Sequence, residues 1–129
     1  MAKLNEGQAK LLTDPNIAVV ATIRPDGTPQ VTPTWLDYDG EHVLVNTGEG
    51  RAKADNLHRD PRVSVFVLDP RNPYNWVSIT GPVELTNEGA TEHINKLSHK
   101  YNGTDYPDPK NPPRVLAKVT PERVNGPMG

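Results

Sequence analysis

The segment NTGEGRAKADNLHRDPRV, Asn46 to Val63, sets Gly48 and Gly50 ahead of Arg51, Lys53, His58, Arg59 and Arg62. In a chain of formal net charge −2 at pH 7, this local excess of cations needs a reason. Glycines let the backbone turn sharply where a strand gives way to a helix. The helix that follows leaves N–H groups unpaired in its first turn and points partial positive charge back at the loop. Arg51 and Lys53 fall in that turn, where a cation opposes the helix dipole. Their placement makes sense if a phosphate or another small anion lies in front of them. Lys53 and Asn56 are spaced i, i+3, so both could address one ligand. A duller arrangement fits the same letters. Arg51–Asp55 and Asp55–Arg59 are i, i+4 pairs, as on a solvated helix. No Gly-Lys-Ser/Thr follows, so this is not a P-loop, and spacing alone leaves both readings open.

Two other stretches offer polar groups at strand ends. PQVTPT carries Gln30, Thr32 and Thr34 beside backbone that Pro29 and Pro33 leave unpaired, and NPYNWV carries Asn75 and the flat face of Trp76. That indole could pack on a planar ligand, in the core, or at a dimer interface. Self-sufficient catalysis finds little support. Ser64, Ser78 and Ser98 lie outside any nucleophile-elbow context, and the chain has no cysteine. His42, His58, His93 and His99 show no metal-ligand spacing, since His93 and His99 stand six apart on one helix. No metal site and no catalytic side chain can be named. If the protein is an enzyme, a cofactor supplies the reactivity.

The elements that must position these residues are mostly short strands. LNEGQAKLL reads as a helix capped by Asn5, with Ala9 and Leu12 inward. NIAVVATI is a strand followed by the turn RPDGTPQ. VTPTWLDY alternates Val31, Pro33 and Trp35 against Thr32, Thr34 and Leu36, as an edge strand does. A hairpin turns at Asp39-Gly40, and a helix runs from about Arg51 to Arg59 and stops before Pro61. RVSVFVL is a buried strand and DPRNPYN a loop. WVSITGPVEL is a long strand with a bulge expected near Gly81-Pro82. A helix after Asn87 repeats Ala90, Ile94, Leu97 and Tyr101 at helical spacing, YNGTDYPDPKNPP is loop, and RVLAKVTPERV closes the chain as a strand. Five or six antiparallel strands with few helices imply a mainly β fold, a small closed or partly open barrel.

With 129 residues, one domain over 1–129 is expected. Only 34% of them are hydrophobic, so a shared surface and a homodimer are expected too. A pI near 6 without a basic stripe argues against nucleic acid. MAKLNEGQAKLL has no long apolar run, so neither a signal peptide nor a membrane span is expected. The absence of cysteine suits a cytoplasmic protein.

Taken together, the RPDGTPQVTP–W hairpin, the NT–GRAK–NL–RDPRV block and the DP–NPY–WV–G strand entry resemble the flavin/deazaflavin oxidoreductases of the pyridoxamine-phosphate-oxidase-like split β-barrel superfamily. They are most similar to its actinobacterial subgroup that uses the deazaflavin coenzyme F420. The resemblance runs from about Leu4 to Val124. It implies a homodimeric, six-stranded antiparallel split barrel with a cofactor groove between subunits. It places Gln30, Thr32, Pro33 and Thr34 along the deazaflavin and its ribityl chain. It places Asn46, Thr47, Arg51, Lys53 and Asn56 at the phosphate region, and Asn75 and Trp76 on the strand approaching from the other subunit. The implied activity is hydride transfer from C5 of the reduced deazaflavin to an electron-poor double bond of a small planar substrate. FMN on the same fold is the alternative cofactor, and a non-catalytic carrier is the alternative role. Tyr38, Tyr74 and the 101–113 segment are candidates to border a substrate, whose identity the sequence leaves open.

Overall fold

The computed structural model describes residues 2–127. Among these, eight strands and three helices follow in the order α1 (Glu6–Thr13), β1 (Ala18–Ile23), β2 (Pro29–Thr34), β3 (Leu36–Tyr38), β4 (Val43–Gly48), α2 (Ala52–Arg59), β5 (Arg62–Asp69), β6 (Asn72–Thr86), α3 (Ala90–Asn102), β7 (Arg114–Val119) and β8 (Arg123–Asn125). The strands form one curled antiparallel sheet in the order β2-β1-β5-β6-β7-β4-β3, with β8 paired to β6. Six of them are the longer strands of the expected split barrel, and β3 and β8 add three residues each.

The fifteen-residue β6 joins the two halves of the sheet. Its Asn72–Pro82 portion pairs with β5, and its Val83–Thr86 portion pairs with β7. Alternation then sends Val20, Val65, Val67, Val77 and Ile79 inward from one half, against Val43, Val45, Ala117 and Val119 from the other. Helix α1 fills the remaining gap with Leu11 and Leu12. It starts cleanly because Asn5 Oδ1 accepts from Gln8 N at 2.8 Å while Gln8 Oε1 accepts from Asn5 N at 3.0 Å. This reciprocal pair satisfies two amide donors at once.

Several local expectations change: VTPTWLDY divides at Trp35 into β2 and β3, at opposite edges of the sheet, and RVLAKVTPERV divides into β7 and β8. Leu11 joins Leu12 in the core, and Ala9 is only half-buried. Residues 72–75 extend β6 rather than forming a loop. The bulge falls between Leu68 and Asp69, while pairing stays regular through Val63↔Gly81 and Arg62↔Pro82. Strand β2 turns Gln30, Thr32 and Thr34 to its half-buried side and leaves Pro29, Val31 and Pro33 exposed. Its inner neighbours are Thr22 and Asn56, so polar residues face inward there. None of the described helices is long and apolar enough to cross a membrane.

Candidate cofactor site

Strand β4 leads through Gly48 and Gly50 into α2, as the opening segment requires. Gly50 has φ of +85°, a left-handed conformation that glycine adopts without steric cost. Arg51 is the N-cap of α2 without a side-chain capping bond, so its guanidinium is free of the helix it precedes. Among the described residues Asp55 forms an ion pair with neither Arg51 nor Arg59, so the two i, i+4 pairs are not made. Glu49 is instead held by His58 Nε2 at 3.0 Å.

In front of this turn lies a cavity of about 470 Å³. Asn46 and Thr47 of β4, Arg51, and Lys53 of α2 line one end with Arg114. Pro33 and Thr34 line the β2 side, and Ile17, Trp35, Ile94, Leu97 and Tyr106 close the rest. No carboxylate is among these lining residues. Burial first, and then the like charges of Arg51 and Arg114, holds the Lys53 ammonium below the ordinary lysine value. Burial likewise lowers Arg114, with Arg51 adding to the effect and Tyr106 opposing it. Three cations therefore share the cavity with an aromatic and aliphatic wall, whose Tyr106 ring lies over Arg114. Such a wall suits a planar ligand with a negatively charged tail.

Six of the eleven residues assigned to a cofactor line this cavity: Pro33, Thr34, Asn46, Thr47, Arg51 and Lys53. Gln30, Thr32 and Asn56 do not. Asn56 Nδ2 donates to Gln30 Oε1 at 2.9 Å and to Thr22 Oγ1 at 3.1 Å, and Arg59 Nη2 donates to Asn56 Oδ1 at 3.2 Å. Arg59 Nη2 also reaches the Ile23 carbonyl. These amides seat α2 on β1 and β2, so they position Lys53 from behind. Asn75 and Trp76 sit at the far end of β6, beside Asn5, Gln8 and Gly126 around a smaller cavity, with Trp76 packed on Phe66 at 5.8 Å. One copy of the chain does not bring them to the cationic cavity.

The contributions missed from sequence are Arg114 and Trp35, while Tyr106 lies within the 101–113 segment expected to border a ligand. Trp35 stacks on Tyr101 at 5.4 Å and meets the edge of Tyr106 at 6.2 Å. Tyr106 belongs to the proline-rich segment after α3, which accordingly forms part of the cavity wall. Its backbone is anchored where Tyr106 N donates to Asn95 Oδ1 at 2.9 Å.

Behind the wall, Asn46 Nδ2 donates to the Ala90 carbonyl at 2.8 Å and to His93 Nδ1 at 3.1 Å. That arrangement leaves the imidazole proton on Nε2. Burial lowers His93 from 6.5 to about 4, with Lys96 and Lys100 assisting and Asp37 opposing. The folded state thus binds fewer protons here than the unfolded chain. Its stabilising effect is complete above pH 6.5 and is lost as pH falls towards 4, by about 3 kcal/mol in all. Urea unfolding of wild type and His93→Gln between pH 7 and pH 4 is expected to show this extra acid sensitivity in wild type alone.

Comparison with known proteins shows the family and the fold. The sequence profile of the pyridoxamine 5'-phosphate oxidase family matches residues 4–126. A solved F420 reductase superposes with a TM-score of 0.85 at 35% identity, covering 95% of this chain and 98% of that one. The F420H2-dependent biliverdin reductase of Mycobacterium tuberculosis is 27% identical over 96% of this chain and 88% of its own length. A pyridoxine/pyridoxamine 5'-phosphate oxidase of Aeromonas hydrophila is 38% identical over 57% of this chain, a match that spans 35% of that oxidase. All three names are those of oxidoreductases.

Proposed function

The chain belongs to the pyridoxamine 5'-phosphate oxidase family, and from that premise we propose that it is an F420-dependent oxidoreductase that reduces an electron-poor double bond of a small planar substrate. The observation that carries this reading is the convergence of Arg51 and Lys53 on a cavity without carboxylates, beside the aromatic wall of Trp35 and Tyr106. Those residues fit a coenzyme with a planar ring and a phosphate. When bound, the reduced deazaflavin supplies a hydride from its C5. Arg51 and Lys53 hold the phosphate region by charge-assisted hydrogen bonds, and Thr47 adds a hydroxyl beside them. Pro33 and Thr34 border the ring, while Ile94 and Leu97 keep water from its apolar end.

A homodimer is part of the proposal. Ile17 (54% exposed), Val19 and Val31 (59% exposed) stand on the outer face of β1 and β2. Val19 lies opposite both Pro33 and Phe66, so the apolar area continues from β2 across β1 to β5. Ile17 and Pro33 also line the cavity. A second copy on this face would cover the exposed apolar surface, flank the cavity and offer its own β6 end, with Asn75 and Trp76, to the coenzyme. A cytoplasmic setting belongs to the same reading.

Titration with F420 and with FMN, followed by quenching of coenzyme fluorescence, tests the cofactor. Micromolar F420 binding is expected, with FMN weaker by about tenfold or more. FMN binding without F420 binding overturns the choice. Turnover of unsaturated carbonyl compounds or tetrapyrroles with reduced F420 separates an enzyme from a carrier.

A further inference from the structure

We propose that Arg114 is a third anion-binding residue of the cavity, and that the ligand presents two neighbouring negative charges there. A phosphate monoester meets that requirement, as does a phosphate diester flanked by a carboxylate. This deepens the coenzyme reading and rests on it.

Arg114 opens β7 and is only 4% exposed. A buried guanidinium is normally paired, because an unmet charged donor in a dry site is costly. This one is not fully paired. Its Nε donates to Asn46 Oδ1 at 2.9 Å, and Tyr106 lies over it with the ring centre 5.4 Å from Cζ. Its Nη1 is buried and has no hydrogen-bond partner. The holding of Nε is itself well fixed, since the Asn46 amide is anchored to Ala90 and His93 on its other side. The side chain is therefore aimed by its surroundings while one donor stays unspent.

At Gly48 that donor comes close to Arg51. A Cβ at this position would lie 3.4 Å from Arg114 Nη1, 3.1 Å from Arg51 Nε and 2.7 Å from Pro112 Cγ. The glycine thus lets Pro112, Arg51 and Arg114 pack directly against its backbone, and the Gly48↔Arg114 pair in the register brings the two guanidinium groups together there. With Lys53 the wall carries three positive charges and no carboxylate. A monoanion would leave two of them uncompensated, and both Arg114 and Lys53 are withdrawn from water. Two adjacent anionic charges match the wall better.

Arg114→Gln and Arg114→Lys test the assignment against wild type, with pyrophosphate, FMN, riboflavin and F420 as probes. In Arg114→Gln, affinity for pyrophosphate and for the coenzyme that binds wild type is expected to fall by about ten- to a hundredfold. Arg114→Lys should recover part of the loss. Riboflavin, which shares the FMN ring without its phosphate, should bind both variants as it binds wild type. Equal losses for riboflavin and FMN would mark a purely structural role and overturn the proposal. Whichever coenzyme responds identifies the monoester or the diester source. Wild-type coenzyme affinity in Arg114→Gln refutes the role of Arg114 and leaves the coenzyme reading intact. Wild type that binds pyrophosphate but neither coenzyme refutes the coenzyme reading and supports the anion site. Should the variants not fold, the Arg114 side-chain nitrogen resonances of wild type must move on adding pyrophosphate; unmoved signals reject the assignment.

Discussion

Alanine at both Arg51 and Lys53 is expected to weaken coenzyme binding by about 3–5 kcal/mol, roughly a hundredfold to several thousandfold. Each side chain offers charge-assisted hydrogen bonds to the same anionic group, worth about 1.5–3 kcal/mol apiece. Lys53 should supply the larger share, because it is half-buried beside Arg114 while Arg51 is exposed and better screened. The two act on one ligand, so the single variants should not sum to the double one. Fluorescence titration of all four proteins measures both statements. Wild-type affinity in the double variant would return the segment to an ordinary solvated helix. Folding should be untouched, since neither side chain caps α2 or enters the core.

The largest expected effect on stability is that of Gly81→Ala. A Cβ there would lie 1.8 Å from the Thr120 carbonyl oxygen and 2.9 Å from the Thr120 carbonyl carbon, both of them backbone. No rotamer change relieves such a clash. The chain from Thr120 to Glu122 must move off β6, straining the bonds Thr120 N→Pro82 O and Glu122 N→Thr80 O, each 3.0 Å. Overpacking costs about 1–3 kcal/mol, and two weakened hydrogen bonds add about 1–3 more. A loss of about 2–6 kcal/mol is therefore expected, read as a lower urea midpoint. A midpoint within error of wild type would show that this crossing is slack.

Some of this was legible from local spacing. The Asn5 cap, the Gly48–Gly50 turn and the Ala90–Ile94–Leu97 stripe declare themselves within a few residues, and the structure carries all three. Arg114 was not legible in that way, because RVLAKV reads as a plain strand and the arginine becomes a cavity residue only through its pairing with Gly48. Register across 66 residues is a tertiary fact. Asn56 misled for the opposite reason. Its i, i+3 relation to Lys53 is real, but its short amide reaches Thr22 and Gln30 beneath the helix while the long lysine arm extends to the cavity. Likewise, the alternation in β2 was visible, and which side faces in was not. That depended on a polar partner, Asn56, supplied from α2.

The unbroken run of β6 has a mechanical meaning. The strand that bears Trp76 at one end also reaches β7, which carries Arg114, at the other. The two lobes of the sheet share this spine, so neither can peel away as an independent foldon without breaking the other's ladder. Slow amide exchange should consequently extend along residues 76–86, Pro82 aside, at a single protection level, and melting should proceed as one event for both lobes.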